Sequence, residues 1–203
     1  MRAQLLGALV IACVASVSMF ADDAKRRTYQ TVNMFQAGMP SMKLQGAATL
    51  LRARQGVEMR IATSHLDPNA AYTVWWVVFN NPAGCIGPCG GSNLANPAAR
   101  ASVFYAAGFV TGDDGSGSVT AHMEAGPLPI GLEVTPDGTV VGMDRGNGFG
   151  AEIHLVVRSH GLVIAGSAHQ QIGSFNGGCP PNTCANQQAA VFPPVARPHH
   201  DDE

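Results

Sequence analysis

A period of two runs through much of this chain. In "VEMRIAT", Val57, Met59 and Ile61 fall on one side and Glu58 and Arg60 on the other, the alternation of a half-buried β-strand. "MKLQGAATLLRA" precedes it through "RQG", a hairpin turn signal. After the turn "LDPN", the segment "AYTVWWVVFN" (71–80) is apolar on both faces and rich in aromatic and β-branched residues, which predicts a central strand covered on both sides. "ASVFYAAGFV" and "SGSVTAHM" read as two strands joined by the turn "TGDDG", and "AEIHLVVRSH" as another. "AAVF" is a short closing strand, whereas the turn-rich stretch from Gly126 to Gly150 resists assignment. No long amphipathic helical stripe is present, and the one short helical turn expected is near "NPAARAS". Short strands between turns predict a mainly β fold, an antiparallel β-sandwich or β-barrel with long Cys-bearing loops.

The chain ends add boundaries. Met1-Arg2 followed by the charge-free run Leu5 to Phe20 is too short for a bilayer span, which takes about 20 residues. It reads as a secretory signal over 1–21. "VIAC" resembles a lipoprotein signal, but apolar residues continue past Cys13, so simple secretion is preferred to a lipid anchor. An N-terminal extension over 22–40, a β-sandwich domain over 41–193 and a polar tail over 194–203 complete the division. The expected location is secreted or periplasmic, with no transmembrane segment after signal removal.

Composition removes some functions. Charged residues make up 13% of the chain, against about 25% in an average globular protein. The formal net charge is −2 and the domain holds no basic cluster, so there is no electrostatic footprint for nucleic acid. "GGSN", "SGSV" and "IGSF" lack the spacing of a nucleophile elbow, and "RGNGFG" is not a dinucleotide loop. The Asp–Gly clusters "GDDGSG" and "PDGTVVGMDRGNG" fit turns better than a calcium loop.

Beyond Cys13, four cysteines form two tight groups, Cys85 with Cys89 in "CIGPC" and Cys179 with Cys184 in "CPPNTC". An even count in an exported chain predicts disulfides rather than a metal–thiolate cluster. Local pairing and pairing between the two loops are both compatible with the spacing.

Candidate chemistry concentrates in "AEIHLVVRSHGLVIAGSAHQ", which holds three of the seven histidines. Ile153, Leu155 and Val157 alternate with Glu152, His154, Arg158 and His160, predicting that the apolar set is buried and the polar set faces solvent or a shallow cleft. "SVTAHME" sorts the same way, with Thr120, His122 and Glu124 on its polar side. If these two strands pair, His122, His154 and Glu152 converge, with Glu124 or His169 within reach, on a set that would take copper or zinc. The plainer reading makes the histidines hydrogen-bonding groups of the polar face. Trp75 and Trp76 point to opposite faces. Either both are covered, or one joins Arg158 and His160 on a ligand-binding surface.

Together "AYTVWWVVFNNP", the first cysteine loop, "AEIHLVVRSHG" and "GGCPPNTC" resemble a set of secreted bacterial β-rich proteins to which no activity attaches, so the resemblance implies no site. The histidine-bearing strands also resemble the copper/zinc superoxide dismutase and chordin-type sandwiches. The dismutase His-x-His pair is missing, since Glu152 and Val156 flank His154. The sequence therefore predicts a secreted binding or structural module for an extracellular partner or small ligand. Its alternative is a metal-binding protein built on His122, His154 and Glu152.

Overall fold

The computed structural model describes residues 27–198. The expected leader, Cys13, His199 and His200 lie outside them. Eight strands, β1 (Thr28–Gln36), β2 (Met39–Ala53), β3 (Gly56–Thr63), β4 (Ala70–Phe79), β5 (Ala101–Val110), β6 (Gly117–Glu124), β7 (Glu152–Leu162) and β8 (Ala185–Phe192), form one antiparallel sheet. Its order is β5-β4-β7-β8-β1-β2-β3-β6, curled until it is nearly a closed barrel. The fold is thus mainly β, and of the two architectures expected it is the barrel.

Alternation explains the interior. Leu50 from β2, Val57, Met59 and Ile61 from β3, Val74, Trp76 and Val78 from β4, Ile153, Leu155 and Val157 from β7, and Phe192 from β8 all point inward into one core. Outward on β3 and β6 stand Glu58, Arg60, Thr120 and His122, all exposed. Apolar inside and polar outside is the reverse of a barrel that faces lipid. Among the described residues no helix is long and apolar enough to cross a membrane.

β4 is buried along its whole length, as its apolar run predicts. Its second face carries Trp75, Val77 and Phe79 into a separate outer cluster with Ala99, Ala101 and Val103. The two cysteine loops supply the cover. Each loop is closed locally, by Cys85–Cys89 and by Cys179–Cys184.

Three features depart from the expected plan. Residues 28–36, placed in an extension, form β1, which joins β2 to β8 and belongs to the barrel wall. Few inward residues of β1 are strongly apolar, Val32 and Met34 among them, so its pattern is faint. The helical turn expected near "NPAARAS" is a non-helical turn, and among the described residues the α-helix is α1 (Ala168–Gly173). Tyr105 Oη donates to the Ile172 carbonyl at its end, and Gln171 Nε2 donates to the His160 and Leu162 carbonyls.

The third concerns β5 and β6, the two edges of the sheet. The turn-rich stretch between β6 and β7 fills the seam between them. Tyr105 N donates to Glu133 O, Thr135 N to Val103 O and Thr139 N to Ala101 O. A bridge also joins Ala125 to Met143 at the β6 end. Irregular chain thus satisfies an edge that would otherwise expose unpaired backbone groups.

Candidate functional site

β7 places the site, because its outward residues follow one another along the outer wall. The predicted register holds: Ile153, Leu155 and Val157 are buried in the core. Glu152 and His154 face outward into a cleft of about 700 Å³ across β4, β7 and β8. Trp75, Val77, Val156 and Val191 make its floor, and Phe35 and Phe175 stand at its sides. The β1–β2 turn, through Gly38 and Pro40, and the first cysteine loop, through Pro88 to Gly91, wall it. The Cys85–Cys89 bond stiffens that second wall. Asn93 Nδ2 donates to the Pro88 carbonyl, and Asn93 Oδ1 accepts from the Ile86 amide.

The polar end of the cleft is a pair. His154 Nε2 donates to Glu152 Oε1 at 2.7 Å, with both side chains mostly buried. The carboxylate only accepts, so His154 carries an N–H on Nε2. His154 also packs against the Phe79 ring, with centroids 5.1 Å apart. Asp137 and Asn186 add polar side chains to the lining, and Asp137 is exposed at the rim.

His160 departs from its predicted place on an open polar face: it is 0% exposed. It does point outward, but the second cysteine loop lies over it. A hydrogen-bond relay fixes its tautomer. Trp75 Nε1 donates to Thr73 Oγ1 at 2.8 Å, Thr73 Oγ1 meets His160 Nε2 at 2.8 Å, and His160 Nδ1 meets the Gly177 carbonyl at 2.9 Å. The carbonyl only accepts, so Nδ1 carries the proton and Thr73 donates to Nε2. Burial lowers the His160 pKa from its ordinary value; the Gly177 bond opposes this and the Arg158 charge adds to it. A neutral histidine so engaged supports the Trp75 indole from behind and meets no ligand.

Arg158 is also occupied. Its guanidinium sits 4.1 Å from the Phe175 ring centre, Nε donates to the Phe175 carbonyl, and Nη1 donates to Asn186 Oδ1. Arg158 therefore positions Phe175, which in turn meets Trp75 edge-on at 4.9 Å. Of the expected ligand-facing residues, Trp75 reaches the cleft. Trp76 is inside the barrel.

The expected metal set does not assemble. Glu152 and His154 adjoin, but His122 is on β6, opposite Glu58 on β3. Between β6 and β7 lie β3, β2, β1 and β8 on one side, and the seam, β5 and β4 on the other. His122 lines a different cavity with Glu58, Glu124 and Arg145. His169 is exposed on α1. The premise that β6 pairs with β7 fails because both strands are claimed by other partners. Among the described residues, His160, Cys179 and Cys184 do bring ligand atoms within 4.8 Å of one another. Both sulfurs are spent in the Cys179–Cys184 bond, and a metal takes thiolates.

Phe35, Phe175 and Asp137 escaped the sequence reading, since each reaches the cleft only through the fold of a distant loop or strand. The chain matches no protein-family model, no curated protein and no solved structure.

Proposed function

We propose that this protein is an exported binding module that holds a small, largely apolar molecule in the cleft across β4, β7 and β8. The carrying observation is that cleft: about 700 Å³, mostly apolar, with one convergent polar pair at His154–Glu152. Ligand sites characteristically occupy about 300–1,000 Å³ and combine apolar walls with a few placed polar groups. The walls are pre-formed, because disulfides, the Trp75–Thr73–His160 relay and the Arg158–Phe175 stack hold them before any ligand arrives. Such preorganisation reduces the ordering cost of binding. Two disulfides fit export into an oxidising compartment.

The test is a titration of the native protein with small apolar probes, followed by tryptophan fluorescence, beside a variant whose cleft is filled. Val191 lines the cleft from β8 and is not fully buried, so Val191→Trp adds bulk there without disturbing the barrel interior. Binding by the wild type and its loss in Val191→Trp, at unchanged circular dichroism, is the expected result. Equal binding by both proteins overturns the proposal.

A further inference from the structure

We infer that the cleft selects an apolar molecule with a cationic amine head over one with an acidic head. This rests on the binding proposal and adds the sign of the ligand's charge. Two carboxylates, Glu152 and Asp137, line the cleft, and among the described residues its lining contains no lysine or arginine. Two guanidinium groups bear on the cleft from outside its lining. Arg158 is turned into Phe175 and Asn186. Buried Arg52, whose charge acts on Glu152, spends all five of its N–H groups on other acceptors.

Hydrogen-bond capacity points the same way. A carboxylate offers about four acceptor positions, and the Glu152 carboxylate has His154 Nε2 as its hydrogen-bonding partner. With its Nε2–H directed at Glu152, the His154 ring has only Nδ1 left for a ligand, an acceptor whenever the ring is neutral. Asn186 Oδ1 accepts from Arg158 and the Trp75 N–H is spent on Thr73, so the Asn186 N–H₂ is the neutral side-chain donor left among the described lining residues. The deep polar end thus asks for a donor, and an ammonium group supplies up to three N–H bonds together with the complementary charge. An acidic head would instead face the mostly buried Glu152 charge across apolar walls, where repulsion is less screened than in water, with exposed Asp137 adding a weaker like charge at the rim. The apolar lining takes the body of the molecule.

A matched series separates the parts of this inference: decylammonium, decanol and decanoate, each below its micelle concentration, titrated by calorimetry against the whole exported protein. The expected order is decylammonium first, then decanol, then decanoate, with at least about a tenfold gap between the charged pair. Glu152→Gln should shrink that gap, and Asp137→Asn, at the exposed rim where folding is not at stake, should shrink it less. Decanoate binding as tightly as decylammonium overturns the charge inference but leaves the cleft proposal standing. A gap that neither variant reduces also overturns it. Failure of all three probes to bind overturns the cleft proposal itself.

Discussion

Arg52 is completely buried, yet each of its five N–H groups has an acceptor. Nε donates to Gln30, Nη1 to the Gly148 and Ala151 carbonyls, and Nη2 to those of Phe192 and Pro193. One side chain thereby ties β1, the seam and the ends of β7 and β8 together. Burial lowers its pKa to about 10, with the Glu152 charge pulling the other way, so it remains charged at neutral pH. Arg52→Met strips the partners from these acceptors and should cost at least about 3 kcal/mol in urea unfolding. Arg52→Lys should restore little, because three donors on a single nitrogen cannot span a planar five-donor fork. His160 predicts a pH dependence. Its folded pKa is lowered from 6.5, so the unfolded chain takes up a proton that the native state resists. Stability should therefore be full above about pH 6.5 and fall as the pH drops below it. Unfolding measured at about pH 7.5 and 5.5 should show a smaller difference in His160→Gln than in wild type. An unchanged difference would place the loss elsewhere.

At the scale of elements, β4 and the loops that cover it act as one device. Trp76 fills the barrel and Trp75 the outer cluster, so successive residues of one strand stabilise opposite layers. Trp76→Ala should cost about 3–5 kcal/mol, the range for emptying a large aromatic site. α1 is locked to β5 at Gly108, where a Cβ would lie 1.9 Å from the Ile172 carbonyl oxygen. Both disulfides close short loops, over separations of 4 and 5 residues. The chain-entropy account assigns about 2 kcal/mol to so short a loop, less than a bond between the two cysteine loops would give. Replacing Cys85 and Cys89 by serine should thus lower stability by no more than about that amount in urea unfolding, and non-reducing peptide mapping of the wild type should recover only local pairs.

Across the molecule, protection should be uneven. β4 and β7 pair on both edges, and β4 is buried along both faces, whereas the β5–β6 seam is held by irregular chain between residues 125 and 143. Native hydrogen exchange should be slowest in β4 and β7 and markedly faster in the seam, since local opening tracks contact density. Exchange equally slow in the seam would mean that the barrel is closed as firmly there as elsewhere.

Strand identity, and the face each residue presents, were legible in the sequence wherever one face had to be apolar. The registers of β3 and β7 follow from alternation alone, because a one-residue slip would bury Glu58 and Arg60 or Glu152 and Arg158. The oxidised cysteines followed from their number and from the leader-like N-terminus. Partnership between strands was not legible, since period-two patterns state which side a residue faces and nothing about its neighbour. That is why His122 looked able to meet His154, and why β1, with few apolar inward residues, was set aside as an extension. Coverage was equally hidden. Whether an outward residue meets solvent depends on loops far away in sequence: the second cysteine loop buries His160, and Phe35, Phe175 and the first cysteine loop turn an outer strand face into a cleft. The pattern of the chain determined the barrel's wall and lining. Tertiary packing alone decided where that wall is covered, and so where a ligand can sit.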